Sequence, residues 1–278
     1  MTQDFSFTTA AGNLISITLY GAESLGDGPA ILYVHGLKGF KDWGFVPYAG
    51  NFFAERGFSF FCFNFSHNGI GKDKENLTET DKFEKNTFSL EVSETLEVIH
   101  LITHTNFFGK DLHHKLGLIG HSRGGGISIL AASRAEKVAA LCTWAAVSNF
   151  DRYTKEDRQK WRKKGHYEVV NSRTGQILKM GLPILDDLEK NGRSKLNILQ
   201  AAKTFQRPLL LLHGQEDETV PFFEAEHLNI YGDPNHTLMR IIPNGTHTFG
   251  ATHPFTETTA PLTQVLQHSL DFFNKHLK

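Results

Sequence analysis

The sequence predicts an α/β protein built on a mostly parallel sheet with helices on both faces. Three observations lead there. Short, nearly continuous apolar runs recur along the chain, as they do in strands buried on both faces. Helical patterns separate these runs, the alternation expected of parallel βαβ units. With 278 residues, 40% apolar and 21% charged, the chain holds core material for a single large domain, read as spanning 1–278.

In chain order, residues 5–20 read as an antiparallel hairpin turning at Ala11-Gly12-Asn13. The apolar runs follow at 30–35, 58–65, 115–120, 138–144, 208–213 and 238–242, each ending in a turn that carries Gly, His or Asn. Residues 89–103 mix Leu90, Val92, Leu96, Ile99 and Leu101 with Glu91, Glu94 and Glu97, a helical pattern. Residues 124–135 are small and apolar and suit a helix pressed onto a sheet. Residues 259–277 put Leu262, Leu266, Leu270 and Phe273 on one helical face. Two stretches break the alternation: 66–86 reads as a long polar loop, and 148–203 as an inserted segment before the next strand. Unstructured loops beyond about 15 residues are uncommon unless they work as lids or binding loops. Trp161, Tyr167, Met180, Leu182, Ile184 and Leu185 provide the second stretch with a core of its own, so 148–203 is expected to form a small helical cap.

The formal net charge of −1 leaves no bulk attraction to nucleic acid or an anionic membrane surface. The N-terminus, Met1-Thr-Gln-Asp-Phe-Ser-Phe7, lacks the basic-then-apolar order of a signal peptide. No run approaches the roughly 20 apolar residues of a membrane helix. The two cysteines, Cys62 and Cys142, lie inside apolar runs and read as buried thiols rather than a disulfide. A cytoplasmic address is the expectation.

The chemistry gathers at strand ends. Gly120-His-Ser122-Arg-Gly124 follows one apolar run and opens a helix. The bare pattern G-x-S-x-G is weak, but strand, sharp turn and helix around it make it a candidate nucleophile elbow, with small residues required two positions either side of Ser122. The helix that follows aims its positive end at the place where negative charge develops. Two backbone N–H donors are expected to bind that charge: Arg123, directly after the serine, and Leu37 in the glycine-rich turn His35-Gly36-Leu37-Lys38-Gly39.

A serine hydroxyl needs a base. Among 15 histidines, His247 stands out because it follows the last strand and completes the chain order Ser…Asp…His. His253 is the runner-up, while His227, His236 and His268 read as solvated. The acid that would orient the imidazole is Asp217, emerging directly after the run at 208–213. Asp151, after the preceding strand, is the alternative, and Glu216 and Glu218 compete only by adjacency. His121, Trp161 and Tyr167 are candidate substrate contacts. The histidines show no spacing that joins them to carboxylates or cysteines as a metal site.

Over nearly the whole chain these residues resemble the α/β-hydrolase superfamily. The resemblance rests on His35-Gly36, Gly120-His-Ser-Arg-Gly124, His213-Gly-x-x-Asp217-x-x-Val-Pro221 and Gly245-Thr-His247-Thr-Phe249. The last two are similar to those of dienelactone-hydrolase-like and cinnamoyl or feruloyl esterase-like members. The resemblance implies an eight-stranded sheet, a cap inserted after the sixth strand, no cofactor, and hydrolysis of small-molecule carboxylic esters. Dienelactone hydrolases proper use cysteine where this chain has Ser122. A peptidase or amidase with the same machinery is an alternative, although serine peptidases of this fold usually add a large domain for which 278 residues leave no room. A non-catalytic receptor on a hydrolase scaffold is another. The basic stretch 152–164 reads either as a solvated helix face or as a positive rim that draws in esters bearing a carboxylate.

Overall fold

The computed structural model describes residues 1–278. The first two strands, β1 (Thr2–Thr8) and β2 (Leu14–Tyr20), form the expected antiparallel hairpin. Next come β3 (Ala30–Val34), α1 (Val46–Ala54), β4 (Ser59–Asn64), α2 (Thr80–Lys85), α3 (Phe88–His104), β5 (Leu116–His121), α4 (Arg123–Ala132) and β6 (Val138–Trp144). After an insertion, β9 (Leu209–Gly214), α8 (Phe223–Tyr231), β10 (Thr237–Ile242) and α9 (Ala260–Leu277) complete the chain. The strands form one eight-stranded sheet in the order β1-β2-β4-β3-β5-β6-β9-β10. Only the β1–β2 and β2–β4 pairings are antiparallel.

Strand side chains alternate between two hydrophobic cores. Ile31, Tyr33, Phe60, Cys62, Cys142, Trp144, Leu210 and Leu212 face α1 and α9. Leu32, Val34, Phe61, Phe63, Leu141, Leu209 and Leu211 face the side covered by α3, α4, α7 and α8, where α7 is Ile198–Thr204. Because both faces are dry, the strands read as apolar runs instead of alternating ones. Helix starts are set by side-chain caps: the Thr87 hydroxyl accepts from the Leu90 N–H at α3, and that of Thr259 from the Leu262 N–H at α9.

The insertion differs from the expected helical cap. It contains α5 (Lys155–Lys164) and α6 (Leu182–Asn191), but between them lies an antiparallel hairpin of β7 (His166–Val170) and β8 (Ile177–Gly181). Leu178 and Met180 point inward and Ile177 and Lys179 outward, a period of two that specifies strand. The last helix of the segment, α7, packs on α4 and α8 and belongs to the main body. The stretch 66–86 is not all loop. It ends in α2, which docks on β8 so closely that a Cβ on Gly181 would lie 2.4 Å from the Glu84 carbonyl oxygen.

Candidate active site

Ser122 sits between the end of β5 and the start of α4 with φ 57° and ψ −123°, a backbone state that costs a non-glycine residue about 1–3 kcal/mol. Its neighbours permit the turn because they lack side chains. A Cβ on Gly120 would lie 2.4 Å from Ser128 Oγ, and one on Gly124 would lie 2.3 Å from the Val34 carbonyl oxygen. The Ser122 N–H donates to the Trp144 carbonyl at 2.9 Å, which ties the turn to β6.

The 35–39 loop rests on the serine: a Cβ on Gly36 would stand 2.8 Å from Ser122 Cβ. The Leu37 N–H donates to no protein acceptor. Arg123 opens α4, and the first N–H groups of a helix have no intrahelical partner. Both residues line the same cavity as Ser122. His35 fixes the loop from beneath. Its Nδ1–H donates to the Gly36 carbonyl at 2.9 Å, and its Nε2 accepts from the Phe65 N–H at 3.3 Å. Burial drives its pKa down to about 4, so it stays a neutral strut.

Ser122, His247 and Asp217, far apart in sequence, form one hydrogen-bonded chain. The serine Oγ lies 2.9 Å from His247 Nε2, and His247 Nδ1 lies 2.8 Å from Asp217 Oδ2. Asp217 has a side chain with no exposed surface. Its Oδ1 accepts from the Thr219 and Val220 N–H groups at 2.9 and 2.8 Å, so the loop after β9 closes around the carboxylate. Burial alone would raise its pKa. Hydrogen bonds from His213 and His247, with the attraction of His247 and the Val220 N–H, outweigh that and hold it well below the ordinary carboxylate range.

The other candidates are placed elsewhere. Asp151 pairs with Arg158 at an exposed position, and Glu216 and Glu218 lie exposed at the cavity mouth. His253 Nδ1 accepts from the Gly44 N–H at 2.8 Å, away from the serine. His121 lines the cavity, but its Nε2–H donates to the His247 carbonyl at 2.9 Å, so it braces the backbone of that residue. Burial and the neighbouring His247 lower its pKa to about 3. In the sequence His213 enters only as the first residue of the motif that runs to Pro221. Its Nε2–H donates to the Val220 carbonyl at 2.7 Å and stands 3.4 Å from Asp217 Oδ2, bracing Asp217 as His121 braces His247.

Above these residues opens a cavity of about 690 Å³. Trp161 and Tyr167 do not line it. Trp161 is 1% exposed and packs with Tyr153 and Tyr167, ring centroids 5.1–5.3 Å apart. These two rings therefore form the insertion's core, and Tyr153 is the member of the cluster that reaches the cavity. Phe88, Val147 and Phe150 complete an apolar wall, with Phe88 and Phe150 stacked at 4.3 Å. Phe88 lies just before the residues whose periodicity marked the helix, and nothing in the pattern separates a wall residue from a core one.

The two arginines of α5 are paired within the insertion. Arg158 pairs with Asp151 and Glu189, and Arg162 with Asp186 and Glu189. The cations that do line the cavity are Lys38, Arg123, Arg152 and Arg173. No group of three or more His, Cys, Asp or Glu side chains is arranged to hold a metal ion.

The profile of the prolyl oligopeptidase family, Peptidase_S9, matches residues 51–278. The chain belongs to that family. The match runs from within α1 to the C-terminus and takes in Ser122, Asp217 and His247, while the 35–39 loop precedes it. Solved structures similar to this family member include Est1E from Butyrivibrio proteoclasticus with bound ferulic acid (17% identity, 98% of each chain, TM-score 0.73). A dienelactone hydrolase from Anabaena variabilis is also similar (17%, 100% of this chain and 99% of that one, TM-score 0.63). So is alpha/beta hydrolase domain-containing protein 10 from mouse (18%, 98% and 99%, TM-score 0.70). A search of curated proteins returns no significant match. The fold is that of the α/β hydrolases, and family and fold together make the chain a hydrolase. No helix is long and apolar enough to cross a membrane.

Proposed function

We infer that this protein is a serine hydrolase that cleaves small carboxylic esters through an acyl-enzyme. The observation that carries the reading is the unbroken chain from Ser122 Oγ through both His247 ring nitrogens to the buried Asp217, with links of 2.9 and 2.8 Å. His247 Nε2 takes the hydroxyl proton as Ser122 attacks the ester carbonyl, and Asp217 holds the ring in the tautomer that leaves Nε2 free to do so. The Leu37 and Arg123 N–H groups receive the developing oxyanion. His247 then passes the proton to the departing alkoxide, and in the second half deprotonates the water that releases the acid. A cavity of about 690 Å³ suits a small-molecule ester. Both cysteines are buried and free, in keeping with a reducing, cytoplasmic setting.

A second reading, amide or peptide hydrolysis by the same groups, is favoured by the family match itself, since the family is described by a peptidase. One experiment separates the readings. A fluorophosphonate probe should label the wild type but not Ser122→Ala, and 4-nitrophenyl acetate and butyrate should be turned over faster than prolyl 4-nitroanilides. Faster anilide cleavage selects the peptidase. A wild type that the probe fails to label removes the serine-hydrolase reading and favours a ligand receptor.

A further inference from the structure

We propose that the Arg123 side chain is an anion-recognition group, and that the esters this site takes carry a carboxylate on the acyl part. The proposal rests on the ester-hydrolase reading above but concerns a different part of the residue, the guanidinium instead of the backbone N–H.

Arg123 is the most buried cation of the cavity, at 9% exposure. Its guanidinium is fixed by one contact, Nη2 to Glu91 Oε1 at 2.5 Å. Its carbon lies 5.5 Å from the centre of the Phe88 ring. Glu91 is buried on α3; its Oε1 also accepts from Asn86 Nδ2 at 2.7 Å, while its Oε2 has no partner. A guanidinium has five N–H donors, and no protein group accepts from Nε or Nη1 of Arg123. Phe88, whose ring the guanidinium approaches, lines the same cavity as Arg123, with Val147, Phe150 and Tyr153 in the adjoining wall. A partly satisfied guanidinium beside apolar rings is costly without a ligand and suits a planar, bidentate acceptor, which is what a carboxylate offers.

The surrounding charges favour an anion over a neutral acceptor. Burial raises the Glu91 pKa against the attraction of Arg123. The positive end of α4 begins at this residue. Lys38, Arg152 and Arg173 line the same cavity, while its acids, Glu216 and Glu218, stand exposed at the mouth. Lys38 is tied to the Val170 carbonyl at 2.9 Å and Arg152 to that of Thr219 at 3.0 Å. Arg173 bonds the Glu75 carbonyl. Arg123 differs from these three in being buried.

The test compares the monomethyl and dimethyl esters of glutaric, adipic and terephthalic acids, which differ only in the free carboxylate. In the wild type, kcat/KM should favour the half ester by about tenfold or more for at least one acid, the value of roughly one charge-assisted hydrogen bond. In Arg123→Met paired with Glu91→Leu, which leaves no buried charge unpartnered, that preference should vanish even if both rates fall. Half ester should also bind Ser122→Ala by calorimetry, and binding should be lost when the paired change is added. Two results overturn the proposal. One is a wild type that prefers the diesters or does not discriminate. The other is a paired variant that slows both esters equally while keeping the preference, which would mean that the side chain only positions its own backbone. If the wild type hydrolyses neither ester yet Ser122→Ala binds the half ester, the anion site stands and the ester-hydrolase reading falls. If Ser122→Ala binds neither, the anion site falls.

Discussion

Replacing Asp217 by asparagine exchanges an acceptor for a donor at the one contact that sets the His247 tautomer. Asp217 Oδ1 accepts from two backbone N–H groups, so the new amide must keep its oxygen there and turn its NH2 toward His247 Nδ1, 2.8 Å away. Two donors then face each other unless the imidazole moves its proton to Nε2. That proton would point at Ser122 Oγ, 2.9 Å distant, and the base would already be occupied. Loss of the correct tautomer costs about 10⁴-fold in kcat, or roughly 5 kcal/mol of transition-state stabilisation. KM should change little, because Asp217 does not touch the cavity. Folding should weaken by only about 1–3 kcal/mol, since His213 keeps its bond to the Val220 carbonyl at 2.7 Å. The assay is steady-state hydrolysis of 4-nitrophenyl butyrate, with Asp151→Asn as control and thermal unfolding run in parallel. A folded Asp217→Asn variant within tenfold of wild-type kcat would refute the assignment, as would an equal loss in Asp151→Asn.

Three further outcomes are expected. Gly36→Ala places a methyl 2.8 Å from Ser122 Cβ and should lower kcat about 10- to 100-fold by displacing the nucleophile or the Leu37 N–H; unchanged kcat would show that the loop is not fitted to the serine. Trp161→Ala empties the insertion's core and should cost about 3–5 kcal/mol in stability, whereas Trp161→Phe should leave KM for short esters unaltered, because the ring does not reach the cavity; a raised KM would return it to the substrate wall. Glu94 is buried and its pKa is pushed up from 4.5 to about 7 by burial, against hydrogen bonds from Ser66. The folded protein therefore holds that proton more tightly than the unfolded chain, so the favourable contribution is complete below pH 4.5 and is lost as pH rises through about 7. Glu94→Gln should thus gain on the wild type by about 2–3 kcal/mol between pH 5 and 8 in urea melts; a difference independent of pH would show that Glu94 titrates normally.

Much of this was readable from the residues. The strand runs, the hairpin at 5–20 and helix α9 follow from apolar patterning, because a sheet covered on both faces leaves its mark on every residue of its strands. The hairpin β7–β8 is equally written, in the alternation of Ile177, Leu178, Lys179 and Met180, but apolar content alone suits a helical cap over 148–203 just as well. Trp161 and Tyr167 show the limit of residue type as a guide. An aromatic ring in an insertion serves equally as core or as wall, and only packing decides which.

The sequence by itself determined the strand runs and the small residues that flank Ser122, because each depends on neighbours along the chain, and it offered Ser122, Asp217 and His247 as candidates by their places after strands. The tertiary structure alone decided that His121 bonds the His247 carbonyl and His213 the Val220 carbonyl beside Asp217. It also decided that Arg162 on α5 pairs with Asp186 and Glu189 on α6, and that Arg123 pairs with Glu91 and lines the cavity with Phe150. Most of those relations join residues tens of positions apart, where charge, distance and burial are set by how the layers close and leave no trace in local pattern.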